Sequence, residues 1–197
     1  MFSEFAEVSS ATWGVIVALL LVGVVVFAVS KDKKRWTARM LANGALCIAL
    51  STVLSFITLY KMPQGGSITL ASMLPMFLFA YAYGVGPGML VGAAYGFVQF
   101  LQGGLYFVHP VELLLDYPLA FAMLGLAGLS NKFSDQWGMI PGIILGTFGR
   151  FVCAFLSGLI FFGMYAPEGQ NVVIYSMVYN GLYLVPEAII CIVLAMI

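Results

Sequence analysis

His109–Gly128 reads HPVELLLDYPLAFAMLGLAG, a run of 20 residues whose reading decides the fold. Its length and almost unbroken apolar character are those of a membrane-crossing helix. Two carboxylates interrupt it, Glu112 and Asp116, four positions apart. At helical spacing they share one face, one turn above the other. A carboxylate in hydrocarbon costs about 2.5–3.5 kcal/mol even on insertion scales, so it needs a partner or a water-filled cavity. What Asp116 faces is therefore the question put to the rest of the chain.

Composition agrees with a membrane helix. Of 197 residues, 62% are hydrophobic and 8% charged, against about 25% charged in an ordinary soluble domain. The class is an all-α, polytopic helical membrane protein. A formal net charge of zero leaves no basic surface for nucleic acid. Cys47, Cys153 and Cys191 lie in apolar runs with neither paired nor metal-ligand spacing and read as packing thiols, so no metal site is expected. The chain lacks GxxxxGK[ST], so an ATP-driven step would have to be powered by another protein.

Upstream of the opening stretch, Trp13–Val29 is long enough to span and is followed by KDKKRWTAR; five of the eight basic residues lie between Lys31 and Arg39. The positive-inside rule places that cluster in the cytoplasm and the N-terminus outside. Charge follows the apolar run instead of preceding it, which predicts a retained span, not a cleaved signal. Met40–Leu59 returns outward. Its Ala42, Ala45 and Ala49 recur on nearly one face and allow close approach by a helix, of this chain or of a partner. MPQGGSITLASMLP, Met62–Pro75, is irregular: Gly65 and Gly66 permit unusual backbone, and Ser67, Thr69 and Ser72 are polar at the entry to a span. Such backbone near membrane depth is tolerated only within protein or beside water, so a plain outer loop and a ligand-lining loop both stay open. That span runs to about Tyr83, GVGPG turns in the cytoplasm, and Gly88, Gly92 and Gly96 give the next span a close-packing stripe.

Downstream, Met139–Met164 and Val173–Ile197 complete seven candidate spans, which leaves the C-terminus cytoplasmic. An unpaired Arg150 inside the first of these would be costly, and Asp116 is its most economical partner. The pair could fix two helices or also line a site. In the last span Tyr175, Tyr179 and Tyr183 lie four apart, with Ser176, Asn180 and Glu187 adjoining. An interfacial aromatic belt explains tyrosines but not an asparagine at that depth; together they can orient a planar heteroaromatic ligand. Asp116, Tyr117, Arg150, Phe162, Tyr175 and Asn180 converge beneath the 62–72 loop, a set suited to a small flat molecule bearing positive charge or amino groups. His109, beside Pro110, reads as solvated or as a helix cap. Glu187 reads as a second internal acid or a partner-facing one.

Two other functions are weighed on the same residues. An intramembrane aspartyl protease needs a second aspartate at depth, whereas Asp32 and Asp135 fall in cytoplasmic links, and no Ser–His or Cys–His pairing lies at depth. No enzyme is expected. A stand-alone ion-coupled carrier would use Asp116, Arg150 and Glu187 as its relay.

MPQGGSITLASMLP, HPVELLLDYPLAF, SGLIFFGMYAPEG and IYSMVYNGLYLVPE, in that order and spacing, closely resemble the thiamine-specific substrate-binding component of energy-coupling factor transporters, from about Arg39 to the C-terminus. The resemblance implies a six-helix substrate-binding domain at 39–197, preceded at 1–38 by an extra transmembrane helix and basic link. It implies thiamine as ligand, a cell-membrane location, and as partners a shared transmembrane coupling protein and two ATPase subunits. The coupling protein would dock on Ala45 and Ala49. Asp116 would accept from the aminopyrimidine, Arg150 would pair with that acid, and Tyr117, Tyr175, Asn180 and Ser67 would line the site. Gly158 would let ligand approach the backbone, and Phe162 would stand for a stacking tryptophan. Ala154 occupies a position where many members carry a histidine on the thiazolium, which leaves a thiamine precursor or related pyrimidine as the alternative ligand. The resemblance also separates the two carboxylates, with Glu112 a solvated residue at the mouth.

Overall fold

In the computed structural model, the residues described are 36–103, 109–132, 136–167 and 169–197. The candidate span Trp13–Val29, its basic link and Asp135 lie outside them. The described residues form six helical segments: α1 (Ala38–Phe56), α2 (Leu74–Tyr83), α3 (Val85–Gln102), α4 (Pro110–Lys132), α5 (Met139–Ile160) and α6 (Val172–Ala195). Of these, α1, α4, α5 and α6 are long and apolar enough to cross a membrane.

α1 starts at Thr37, whose hydroxyl accepts from the Met40 amide at 3.2 Å and satisfies one of the orphan donors of the first turn. Little of it is covered: Leu46, Leu50, Val53 and Phe56 are all more than half exposed, and Ala45 and Ala49 lie on the same open side.

The irregular passage is a hairpin. β1 (Thr58–Lys61) pairs antiparallel with β2 (Ser67–Thr69), with a slip in register between Thr58 and Tyr60. Gly65 turns the chain at φ +103°, a conformation that costs a side chain dearly. The sequence predicts a full span ending at Tyr83, but α2 is only 10 residues long. That is about 15 Å of rise, half of the ~30 Å hydrocarbon layer. Its outer half is replaced by the hairpin and the turn after it, where Thr69, Ala71, Ser72 and Met73 are all buried. Non-helical backbone sits here because protein covers it.

One glycine joins α2 to α3. Gly84, at φ +96°, reverses the chain, so the expected GVGPG turn collapses to that single residue and Val85 already begins α3. The glycine stripe then fulfils its packing role. A Cβ on Gly88 would meet Gly125 Cα at 3.1 Å, one on Gly92 would strike the Phe121 carbonyl, and one on Gly96 would meet Pro118 Cα at 3.0 Å. α3 therefore lies directly on the backbone of α4.

α4 is the opening stretch of the sequence, and it is not a uniform helix. An α turn (Pro110–Leu114) widens to a π turn (Leu115–Leu119), passes through Ala120–Ala122 and tightens to a 3-10 coil over Met123–Lys132. Pro118, which has no N–H and crowds the preceding turn, sits inside the wide part. Met73, Met76, Phe77, Tyr95, Leu124 and Ile143 form the core around it. Cys153 and Cys191 are buried free thiols, and Cys47 is half-buried.

Candidate functional site

A cavity of about 530 Å³ opens between the hairpin, the upper halves of α3 and α4, and the facing sides of α5 and α6. Asp116, Tyr117, Arg150, Gly158, Phe162, Tyr175, Asn180 and Ser67, the whole set expected from the sequence to contact ligand, lie on its wall. With Ser55 and Phe56 at the end of α1, residues from six parts of the chain (α1, the hairpin, α3, α4, α5 and α6) meet around one space.

Asp116 and Tyr117 both reach the cavity because they occupy the π turn, where the wider spiral brings adjacent residues to one side. Asp116 accepts from the Ser157 hydroxyl at 2.8 Å. Tyr117 packs edge-on to Phe100, with ring centroids 5.4 Å apart. The expected Arg150–Asp116 ion pair is not formed: among the described residues no ion pair joins them. The guanidinium lies instead 4.1 Å above the ring of Phe121. A planar, weakly hydrated cation finds a favourable face there without surrendering its field at the cavity.

Glu112 is a second correction. It is not a solvated mouth residue but is 5% exposed, lines the cavity, and caps its own helix by accepting from the His109 amide at 3.1 Å. His109 is buried as well; its Nδ1 accepts from the Val111 amide, and its ring stacks on Phe161 at 5.3 Å. Of the two readings of His109, the capping one holds.

On α6 the tyrosines form an aromatic ladder: the rings of Tyr175 and Tyr179 are tilted with centroids 5.9 Å apart, and those of Tyr179 and Tyr183 meet edge to face at 6.2 Å. All three line the cavity. Asn180 is committed within the protein: Nδ2 donates to the Ala154 carbonyl at 3.2 Å and the Ser176 carbonyl at 2.9 Å, while Oδ1 accepts from the Tyr183 hydroxyl at 2.9 Å. Gly158 also has a packing reason. The place of its missing Cβ is filled by Ser176 Oγ, with Asn180 Nδ2 at 3.3 Å. The glycine lets α6 approach α5, and it lies on the cavity wall.

Glu187 is not among the cavity-lining side chains. It is buried, and its carboxylate accepts from the Thr69 hydroxyl (2.6 Å), the Ser72 hydroxyl (3.0 Å) and the Thr69 amide (3.3 Å). Together with the Gln64 amide donating to Tyr179 Oη at 3.0 Å, and Gly66 lying flat on the Tyr183 ring, these bonds seat the hairpin on one stripe of α6. Its reading as an internal acid holds, and its commitment to the loop takes it out of an ion relay. Ser157, Tyr179 and Tyr183 were absent from the expected set. The four-residue spacing of the tyrosines was a usable signal, whereas nothing local distinguishes Ser157 from any small residue in an apolar helix. Ala45 and Ala49 stand apart from the cavity, on the open side of α1.

The site can offer a carboxylate acceptor, aromatic faces and a cation; among the described residues no group of three potential metal ligands occurs. A ligand-binding membrane protein of helical architecture is what fold and cavity define. The family model described as thiamine transporter protein (Thia_YuaJ) matches residues 41–197, and the chain belongs to that family. It is therefore a transporter chain and not an enzyme. The thiamine transporter ThiT of Bacillus subtilis (strain 168) is 36% identical over 160 residues, covering 75% of this chain and 83% of that protein. The thiamine transporter ThiT of Lacticaseibacillus paracasei is 32% identical over 123 residues, covering 55% and 61%. Among solved structures, ThiT from Listeria monocytogenes superposes with a TM-score of 0.71 at 26% identity, covering 80% of this chain and 91% of that one.

Proposed function

We propose that this multi-pass membrane protein is the thiamine-binding subunit of a vitamin uptake transporter, holding thiamine in the cavity between α4, α5 and α6. The observation that carries the reading is the placement of Asp116, a carboxylate on a π turn inside an apolar helix, aimed into a cavity walled by Tyr117, Tyr175 and Phe162. In this reading Asp116 accepts from the aminopyrimidine, the rings enclose the flat heteroaromatics, and Arg150 balances the charge of the acid from its seat on Phe121.

The energy source is external. In the energy-coupling factor arrangement that the sequence resembles, a shared membrane protein and two ATPase subunits drive uptake, and the coupling protein docks on Ala45 and Ala49. The exposed apolar face of α1 supports that role, because close-approach alanines there are left without a helix of the described residues on top of them. We further propose that the N-terminus lies outside and the C-terminus in the cytoplasm, a reading supported by the five basic residues between Lys31 and Arg39.

Titration of the purified chain with thiamine, followed by tryptophan and tyrosine fluorescence without ATP, tests the proposal. Saturable tight binding is expected; no response to thiamine or its pyrimidine analogues would overturn it. A related pyrimidine is the second reading, favoured by Ala154, which lines the cavity and brings no ring where a histidine would stack. Tighter binding of an isolated aminopyrimidine than of thiamine would select it. Proton- or sodium-driven uptake by the chain alone in liposomes would instead favour a self-sufficient carrier.

A further inference from the structure

We propose that Ser157 is the positioning residue of the thiamine site: its hydroxyl holds the Asp116 carboxylate in the orientation that accepts the ligand's amino group. This deepens the reading just given and rests on it. Ser157 is 1% exposed, on α5 one residue before Gly158, and donates to Asp116 Oδ2 at 2.8 Å across 41 positions of sequence. Both residues line the cavity.

The physical problem is one of choice. Two carboxylates one turn apart enter the same cavity, and each could bind a cationic or amino-bearing ligand in several orientations. Each is given a different neighbour. Glu112 is turned back to the start of its own helix by the His109 amide, while Asp116 is taken by a hydroxyl from the opposite wall. With Oδ2 accepting from the serine, rotation about the terminal bond is opposed and Oδ1 keeps both of its lone pairs for ligand. Orienting a buried acceptor beforehand with a hydrogen bond removes an ordering cost from binding. Supporting hydrogen bonds of this kind are what hold a recognition group to the tolerance it needs.

The test uses ratios, which a change in overall fold leaves alone. Thiamine and its analogue with oxygen in place of the pyrimidine amino group are titrated against the full chain and against Ser157→Ala. The chain should prefer thiamine, and Ser157→Ala should lower thiamine affinity about 5- to 30-fold while narrowing that preference severalfold. Equal loss for both ligands, or no loss, overturns the proposal. In an Asp116→Ala background, which leaves the serine no oxygen to hold, the serine substitution should cost less than about twofold, because its effect runs through the carboxylate; full additivity overturns it. Asp116→Asn with unchanged thiamine affinity would overturn the reading of the site itself, a result distinct from loss of the serine effect alone. Ser157→Cys, similar in size with a weaker donor, repeats the ratio test should the alanine variant lose its fold; a preference as wide as in the unmodified chain overturns the proposal there too.

Discussion

Thr69 Oγ1 donates to Glu187 Oε1 at 2.6 Å, joining residues 118 positions apart. Around that bond the Ser72 hydroxyl and the Thr69 amide complete the shell of a buried carboxylate, and the Ser72 amide donates in turn to Thr69 Oγ1 at 3.2 Å. Ala71, between them, adopts φ +57°, a left-handed conformation that a non-glycine residue takes only when its surroundings impose it. The hairpin is therefore fastened at its base before any ligand arrives.

Removing the acceptor should unfasten it. Glu187→Ala removes the shared acceptor: the Thr69 and Ser72 hydroxyls, 2.7 Å apart, keep each other, but the Thr69 amide is left buried without its partner and a cavity opens, at about 1–3 kcal/mol for the unmet donor alone. A loss of about 3 kcal/mol in stability is expected, read as a lowered thermal midpoint in detergent. Glu187→Gln, which keeps one acceptor oxygen, should lose less. Equal midpoints for all three proteins would show that the bonds contribute nothing.

Asp116→Asn should spare the fold and weaken the ligand. The amide oxygen can still accept from Ser157, so the internal contact survives, while the charged acceptor facing the cavity is lost. Thiamine affinity should fall by about 1–3 kcal/mol, roughly fivefold to 150-fold. Fluorescence titration measures it, and a collapsed fold would assign Asp116 to structure first.

Arg150→Met keeps an apolar stem over Phe121 and deletes the charge. Loss of the cation over the ring should cost about 1 kcal/mol. Arg150→Lys should recover only part of it, since an ammonium lacks the planar stacking surface. Paired melting curves of the two variants decide the point; full recovery by lysine would mean that charge alone matters.

Glycine substitutions should sort by what lies opposite. Gly92→Ala drives a methyl into the Phe121 carbonyl, and neither backbone can yield without parting α3 from α4. Folded yield should drop sharply. Gly181→Ala meets nothing within 4 Å and should be neutral or gain up to about 1 kcal/mol from helix propensity. Size-exclusion profiles of the two variants make the comparison.

Ala49→Trp addresses the open face of α1. Thiamine binding by the isolated chain should not change, because Ala49 is remote from the cavity, but uptake and co-purification with a coupling protein should be lost. Normal uptake by the variant would move the docking surface elsewhere.

Much of this arrangement was legible in the residues. Periodic apolar length marked the long helices, and the cost of Asp116 in hydrocarbon pointed to the cavity before its walls were known. Gly88, Gly92 and Gly96 announced a close packing, though not against which helix. What could not be read depended on distance in space. In the sequence Asp116 is the evident counter-charge for Arg150, while the ring of Phe121 carries no sign of the contact it makes. Glu112 read as solvated by depth alone, yet a backbone amide three residues earlier holds it inside. The half-length of α2 was hidden because the residues that replace its outer turns are nearly as apolar as a helix would be; only Glu187, far away, makes their polar groups affordable.

The π turn at Leu115–Leu119 has a consequence for the lower half of α4. A wide turn accommodates about one extra residue, so everything beneath it is rotated by roughly 100° from where a regular helix would carry it. The contacts on either side depend on that phase shift: Asp116 and Tyr117 point into the cavity above, while the Phe121 carbonyl and Gly125 meet Gly92 and Gly88 below. Deleting any single residue of the wide turn would bring one end into register only by taking the other out. The turn thus acts as a phase corrector between binding and packing, and the length of this segment is as constrained as its composition.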